Sequence, residues 1–430
     1  MDKDKELEHH LDESGELPSI SVKWSTKTKI LFIFLILFII ILIVAIILLL
    51  LFYRKNKIKK DNTNSNEKQI YEFKSFINIS YAKNDIIVNS FKKGGENYNE
   101  TLGNINDGSD YRKSDRNIYD LFIPYRDGKR KKKYNKIILN IHGGCWVGGD
   151  KEGYQGQCQT KAKEGFICSE MDYTLLHYYN NSNIFRIIDE ITAVLQNIKD
   201  ILTKEGFDGN KLEIYLTGGS AGAHLSMLYG YWIKKSPIPI KFIVNLMGPV
   251  TLEPDHFIKP INIDEPLNSI EPADIEDAQK NNKTEVIKRD KYNISPTFWV
   301  MVMNIFLGGK LTDDLGDIIV NFDAMEINVE SIRYKYMFNK VQIAFPINHV
   351  DENTIPTLCF YGGKDIDVGI GQYSYLKKAF EEKNNKNIVL VYSKYSSHEE
   401  VDTKSEEGKA SIQKYNDLLS YFENTYFTKD

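Results

Sequence analysis

The run Leu216-Thr217-Gly218-Gly219-Ser220-Ala221-Gly222-Ala223-His224 has the form G-x-S-x-G. An apolar β-type stretch, Leu212-Glu213-Ile214-Tyr215-Leu216, precedes it, and a segment with helical character follows. A serine between glycines at a strand-to-helix corner is held in a strained turn, with its hydroxyl presented at the carboxyl edge of a sheet. A Cβ at either flanking glycine would crowd that turn. A serine hydroxyl is a weak nucleophile alone, so the reading requires a base, an acid and an oxyanion site.

Working upstream, Asn140-Ile141-His142-Gly143-Gly144-Cys145-Trp146 follows the apolar run Ile137-Ile138-Leu139. In an H-G-G-type loop, bare glycine backbone lets N–H groups approach a substrate oxygen. The amides of Gly143 and Gly144, with that of Ala221 after the serine, are the expected oxyanion donors. A lone G-x-S-x-G is a weak signal, whereas H-G-G-x-W is far more specific. Both follow expected strands.

Working downstream, acid and base should come in the order Ser, Asp, His. Pro356-Thr357-Leu358-Cys359-Phe360-Tyr361 reads as a buried strand that runs into Gly362-Gly363-Lys364-Asp365-Ile366-Asp367-Val368. Asp365 is the better acid, because it sits in a G-x-x-D-x-x-V pattern; Asp367 is its competitor. Asn387 to Lys394 reads as a further strand, and its loop carries His398, the only histidine after Asp365. His142 is expected to order its loop by hydrogen bonds. His224, one helical turn after Ser220, reads as a packing or hydrogen-bonding residue, and His349 precedes Asp365 and so breaks the order.

These motifs resemble the α/β-hydrolase superfamily, in its H-G-G-x-W esterase/lipase branch. The combination of His142-Gly143-Gly144-Cys145-Trp146 and Gly219-Ser220-Ala221-Gly222-Ala223-His224 is similar to prenylcysteine methylesterases, kynurenine formamidases and related short-acyl carboxylesterases. Asp172-Tyr173 resembles the D-Y-R that ends the next strand in those proteins, but Thr174 replaces the arginine, so no role of that arginine is carried over. The resemblance implies ester cleavage through an acyl-enzyme, with Ser220 as nucleophile, His398 as base and Asp365 as acid, and with no metal or organic cofactor. The substrate is expected to be a small-molecule or lipid-like ester. Arylformamide hydrolysis, or an inactive hydrolase fold used as a binding module, are the alternatives.

Ile30 to Phe52 contains no charged or strongly polar residue. It is longer than the ~20 residues that span a hydrocarbon core, and apolar on every helical face. It reads as a single-pass anchor in contact with membrane lipid. The expected organisation is a polar tail over 1–29, a transmembrane helix over 30–53, a basic, Asn-rich tether over 54–70 and a hydrolase domain over 71–430. Arg54, Lys55, Lys57, Lys59 and Lys60 make the C-terminal flank the more basic, which favours a cytoplasmic catalytic domain. Sequons at Asn78, Asn99 and Asn180 pull toward the lumen. Four cysteines without a pairing pattern do not suggest a disulfide framework. The basic run Gly128 to Lys133 reads as a solvated hairpin. With net charge −4 and no aromatic stacking motif nearby, a nucleic-acid partner is not expected.

Strands expected near 119–124, 137–141, 166–172, 212–217, 240–246, 357–361 and 387–393 alternate with helices near 184–204, 221–235, 371–384 and 407–424. That alternation implies an α/β fold, with a mostly parallel sheet and helices on both faces. Residues 250–350 interrupt the rhythm and read as a cap insertion. Its aromatic-rich piece Thr297-Phe298-Trp299-Val300-Met301-Val302-Met303 looks exposed, as a lid over lipid-like substrates would be.

Overall fold

The computed structural model describes residues 71–81, 116–125, 135–176, 183–254, 296–307, 319–321, 326–365 and 367–428. The chain divides into two units, Met1–Lys68 and Gln69–Asp430, and all of these residues belong to the second. The expected anchor, the tether, the basic run at 128–133 and the sequons at Asn99 and Asn180 lie outside the described residues. Among the described residues, no helix is long and apolar enough to cross a membrane.

The strands are β1 (Glu72–Ser80), β2 (Ile118–Tyr125), β3 (Lys136–Ile141), β4 (Ile167–Met171), β5 (Glu213–Gly219), β6 (Ile240–Leu246), β7 (Val320–Asn321), β8 (Glu326–Ile327), β9 (Thr357–Gly362) and β10 (Ile388–Ser393). The helices are α1 (Gln155–Lys163), α2 (Ile184–Lys204), α3 (Ala221–Trp232), α4 (Pro296–Phe306), α5 (Ile332–Val341), α6 (Gly371–Glu382) and α7 (Glu406–Tyr426). One sheet takes the order β1-β2-β4-β3-β5-β6-β9-β10. Strands β4, β3, β5, β6, β9 and β10 pair in parallel, while β1 and β2 run antiparallel at one edge. This is the mostly parallel α/β sheet that the alternation implied.

Central strands of such a sheet are covered on both faces, so they read as unbroken apolar runs. β4 is buried at every residue and β3 at all but its first. α2 starts where the Asn183 side chain accepts hydrogen bonds from the N–H groups of Phe185 and Arg186, both at 3.0 Å. It then buries a long apolar face. α7 is capped by Ser405, whose hydroxyl accepts from Gly408 N at 2.9 Å, with Glu406 and Glu407 in the favourable first turn.

Three expectations are corrected. β1 and α1 were not foreseen: β1 is an edge strand whose residues are exposed or half-buried, and α1 (QGQCQTKAK) carries almost no apolar stripe. Two of the four cysteines pair: Cys158 on α1 is bonded to Cys168 on β4, with Cα atoms 5.2 Å apart, while Cys145 and Cys359 are free thiols. No recognised spacing announces this bridge, because the crossover from helix to strand creates the proximity. The apolar piece of α4 is not exposed either. Trp299, Val300, Val302 and Met303 are buried, and the Trp299 indole N–H donates to Leu252 O. The exposed lid that this piece suggested is therefore withdrawn. β6 pairs directly with β9, so α4, β7, β8 and α5 all lie within the connection between neighbouring strands.

Candidate active site

Ser220 sits between β5 and α3 with φ +54° and ψ −121°, a conformation costing on the order of 1–3 kcal/mol for a non-glycine residue. Its surroundings hold it there. Ser220 N donates to Leu246 O at 2.9 Å, His224 N donates to Ser220 O at 3.0 Å, and Gly219 N donates to the Tyr154 hydroxyl at 3.1 Å. The outer glycines of the motif allow a close approach: a Cβ on Gly218 or Gly222 would overlap the Ile141 carbonyl oxygen.

The loop after β3 lies against this corner. A Cβ on Gly143 would stand 2.9 Å from Gly219 O and 3.4 Å from Ser220 Cβ. Gly144, Cys145 and Trp146 take φ values of +105°, +50° and +63° in succession. Gly144 O accepts from the N–H groups of Val147 and Gly148 at 3.0 and 2.9 Å. Trp146 anchors the loop inward. Its indole N–H donates to His224 Nδ1 at 3.3 Å, and its ring meets Phe306 at the end of α4, with centroids 4.7 Å apart. His224 completes the link by donating from Nε2 to Ala344 O at 2.8 Å. Burial lowers its pKa to about 3, which keeps it neutral in that bridging role.

His142 is buried and stacks on Tyr173 at 4.1 Å. Its Nδ1 lies 2.7 Å from Gly143 O, and the Tyr173 hydroxyl donates to His142 O at 3.1 Å. Burial is the main cause that lowers the His142 pKa to about 4. Asp172 accepts from Lys151 N at 2.8 Å and from Arg116 Nη2 at 3.3 Å. Thr174 faces a different partner: its N–H and hydroxyl both donate to the Glu190 carboxylate, at 2.8 and 2.6 Å.

Asp365 follows β9 and His398 follows β10. Asp365 Oδ2 and His398 Nδ1 are 2.8 Å apart, and Asp365 Oδ1 accepts from the N–H groups of Asp367 and Val368 at 2.9 and 2.7 Å. Asp367 is not bonded to the imidazole, so the two candidate acids are distinguished by contact. Burial pulls the His398 pKa down, but the Asp365 hydrogen bond and the charges of Asp365, Asp367 and Glu399 outweigh it, and the net shift is upward. The His398 loop is fixed by Ser396, whose backbone packs on Gly362 and whose hydroxyl bonds Ser393 Oγ and Asp402 N.

Backbone bonds tie these strand ends together. Ser220 N reaches the end of β6, Met247 N reaches Phe360 O of β9, and Gly363 N reaches Ser393 O of β10. The structure brings Asp365 and His398 into contact, and it sets Ser220 against Gly143. Among the described residues, no hydrogen bond joins His398 to Ser220. In the absence of substrate such bonds are often long and tighten only in the reacting complex. The facing atoms of Asp365, Asp367 and His398 lie within 4.8 Å of one another. The Asp365 carboxylate already accepts from two backbone N–H groups and lies against the imidazole. Cys145 is exposed beside them, and partial burial with the Asp367 charge raises its thiol pKa.

Arg116 and Tyr154 were absent from the sequence reading. Both act across long sequence separations, and no local pattern marks either.

A family model described as BD-FAE matches residues 120–298. No curated protein matches the chain. Among solved structures, a truncated form of a carbohydrate esterase from gut microbiota is similar at 15% identity and TM-score 0.50, covering 84% of this chain and 99% of that one. Esterase B from Lactobacillus Rhamnosis aligns at 14% identity and TM-score 0.46, over 86% of this chain and 92% of that chain. Thermogutta terrifontis esterase 2 phosphonylated by sarin aligns at 14% identity and TM-score 0.44, over 74% and 95%.

Proposed function

We propose that this chain is a carboxylic ester hydrolase of the α/β-hydrolase esterase/lipase branch, a reading supported by the family model over 120–298 and the esterase-like fold, and that it cleaves its ester through an acyl-enzyme on Ser220. His398 is the base, Asp365 its orienting acid, and the amides of Gly143, Gly144 and Ala221 are the oxyanion donors. The observation that carries this reading is the Asp365–His398 bond, 2.8 Å long, at the same sheet edge as the strained Ser220 corner.

In this mechanism Ser220 Oγ attacks the ester carbonyl carbon while His398 Nε2 takes the hydroxyl proton. Asp365, bonded at Nδ1, holds the tautomer that leaves Nε2 free and stabilises the imidazolium that forms. The tetrahedral oxyanion is met by the backbone amides, each typically worth about 10²–10³ in rate. Collapse expels the alcohol, which takes the proton back from His398. A water deprotonated by His398 then attacks the acyl carbonyl, and the acid leaves as Ser220 regains its proton. The intact Asp365–His398 pair argues against an inactive binding module.

A small ester is the expected substrate. p-Nitrophenyl acetate, an acetylated sugar, formylkynurenine and a prenylcysteine methyl ester, offered to the full-length chain, divide ester from formamide chemistry. The Ser220→Ala variant should lose hydrolysis of every accepted ester while keeping its fold. Undiminished turnover by that variant refutes the assignment.

The Ile30 to Phe52 segment supports a single-pass anchor. Its flanking charges support a cytoplasmic catalytic domain. The Cys158–Cys168 bridge favours a second topology, because disulfides persist in oxidising compartments.

A further inference from the structure

We infer that Arg116 is a positioning residue of the oxyanion loop: its guanidinium fixes the tautomer of His142, and through it the orientation of the Gly143–Gly144 peptide. The inference rests on the oxyanion role given above to that loop.

Two contacts made by His142 demand the same tautomer. Arg116 Nη2 lies 3.3 Å from His142 Nε2. A guanidinium only donates, so Nε2 must carry a lone pair. On the other side of the ring, Nδ1 lies 2.7 Å from Gly143 O, and a carbonyl only accepts, so Nδ1 must carry the hydrogen. A neutral imidazole has one N–H, and both neighbours place it on Nδ1.

A competing partner is present. Asp172 Oδ1 stands 3.7 Å from Nε2 and would favour a hydrogen there. That oxygen is already occupied by Lys151 N and by Arg116 itself. Arg116 Nη2 has two hydrogens: one goes to Gly149 O at 2.6 Å, and the other is shared between His142 Nε2 and Asp172 Oδ1, each at 3.3 Å, so a single N–H faces both the nitrogen and the carboxylate that would reverse the tautomer. Without it, the hydrogen moves to Nε2 toward Asp172. Nδ1 would then set a lone pair against the Gly143 carbonyl oxygen.

The consequence reaches the oxyanion site through peptide planarity. In a trans peptide the N–H points opposite to the C=O, so holding Gly143 O fixes the direction of Gly144 N–H. The same guanidinium ties down the rest of the loop. It donates to Gly149 O at 2.6 Å and to Tyr173 O at 3.3 Å. Gly149, at φ +88°, packs so closely that a Cβ there would stand 2.7 Å from His142 Nδ1.

The test is a double-mutant cycle on the full-length chain, read by histidine ¹⁵N NMR and by ester hydrolysis. Wild type should show His142 as the Nδ1–H tautomer, and Arg116→Met, which removes every donor, should shift it to Nε2–H. Arg116→Met should lower kcat by about ten- to hundredfold, the scale of a misdirected oxyanion donor, with KM changed less than about twofold. In an His142→Asn background, an amide donates to Gly143 O whatever residue 116 does, so adding Arg116→Met should cost less than about twofold more. Arg116→Lys and Arg116→Gln, which keep a donor, should retain the tautomer; they cover the case in which methionine unfolds the chain, and a switch to Nε2–H in both would count against the inference. An unchanged tautomer in Arg116→Met, or an equal kcat loss in both backgrounds, overturns the inference. Should the wild-type chain hydrolyse no ester, the esterase reading fails and the NMR measurement still decides the role of Arg116.

Discussion

At the scale of single residues, the base proposed above, His398, should set how the site responds to pH. Its imidazole is pulled down by burial but pushed above 6.5 by Asp365 and the neighbouring acids. A base must be deprotonated to act, so kcat/KM should fall as pH drops through that raised value. Asp367 adds charge without touching the ring, so Asp367→Asn should move the acid limb to lower pH by a few tenths of a unit, with little loss at the plateau. A pH–rate profile checks this, and an unmoved limb would remove Asp367 from the electrostatics of the site. This scale was also the most legible in the sequence. Ser220, Gly143, Gly144 and Asp365 sit in short motifs whose spacing is fixed by one turn of chain, and His398 follows from chain order alone. Arg116 was not legible, since its contacts with His142, Gly149 and Asp172 exist only after β2, β3 and β4 are assembled.

At the scale of elements, the sheet buries a cluster of ionisable groups next to the loop that follows β3. Asp120 of β2 and Glu170 of β4 are register partners, and both are fully buried. Lys151, in the turn leaving the loop, reaches Asp120 at 3.0 Å. Burial first, and the Asp120 charge second, raise the Glu170 pKa from 4.5 to about 8. The folded chain thus keeps this proton where the unfolded chain has released it. The stabilisation is complete below about pH 4.5 and is lost as pH rises through about 8. Glu170→Gln should flatten the decline in denaturant midpoint between pH 5 and 9. An identical slope in both proteins would show that Glu170 is ionised in the fold. The elements themselves were largely readable where burial is two-sided, as in β3, β4 and β9, or where an amphipathic helix is long, as in α2. β1 escaped because an edge strand carries no continuous apolar run. The Cys158–Cys168 bridge escaped because nothing in a ten-residue separation distinguishes it.

At the scale of the whole molecule, the single-pass anchor proposed above would be oriented by two opposed signals, the charges flanking Ile30–Phe52 and the Cys158–Cys168 disulfide. Under the cytoplasmic reading, the full-length chain in sealed, right-side-out vesicles should resist added protease over 71–430 and become sensitive once the membrane is permeabilised. Cleavage in intact vesicles would reverse the orientation in favour of the disulfide. The catalyst proposed above depends on three strand ends, remote in sequence, being drawn to one edge of the sheet. Covalent capture measures this most directly. A fluorophosphonate added to the full-length chain should form one adduct, mapped by peptide mass spectrometry to Ser220. His398→Ala should slow its formation by several orders of magnitude, toward the about 10⁶-fold that losing a triad base costs in turnover. Undiminished labelling after loss of His398, or an adduct on any residue other than Ser220, would contradict a Ser220–His398–Asp365 catalyst.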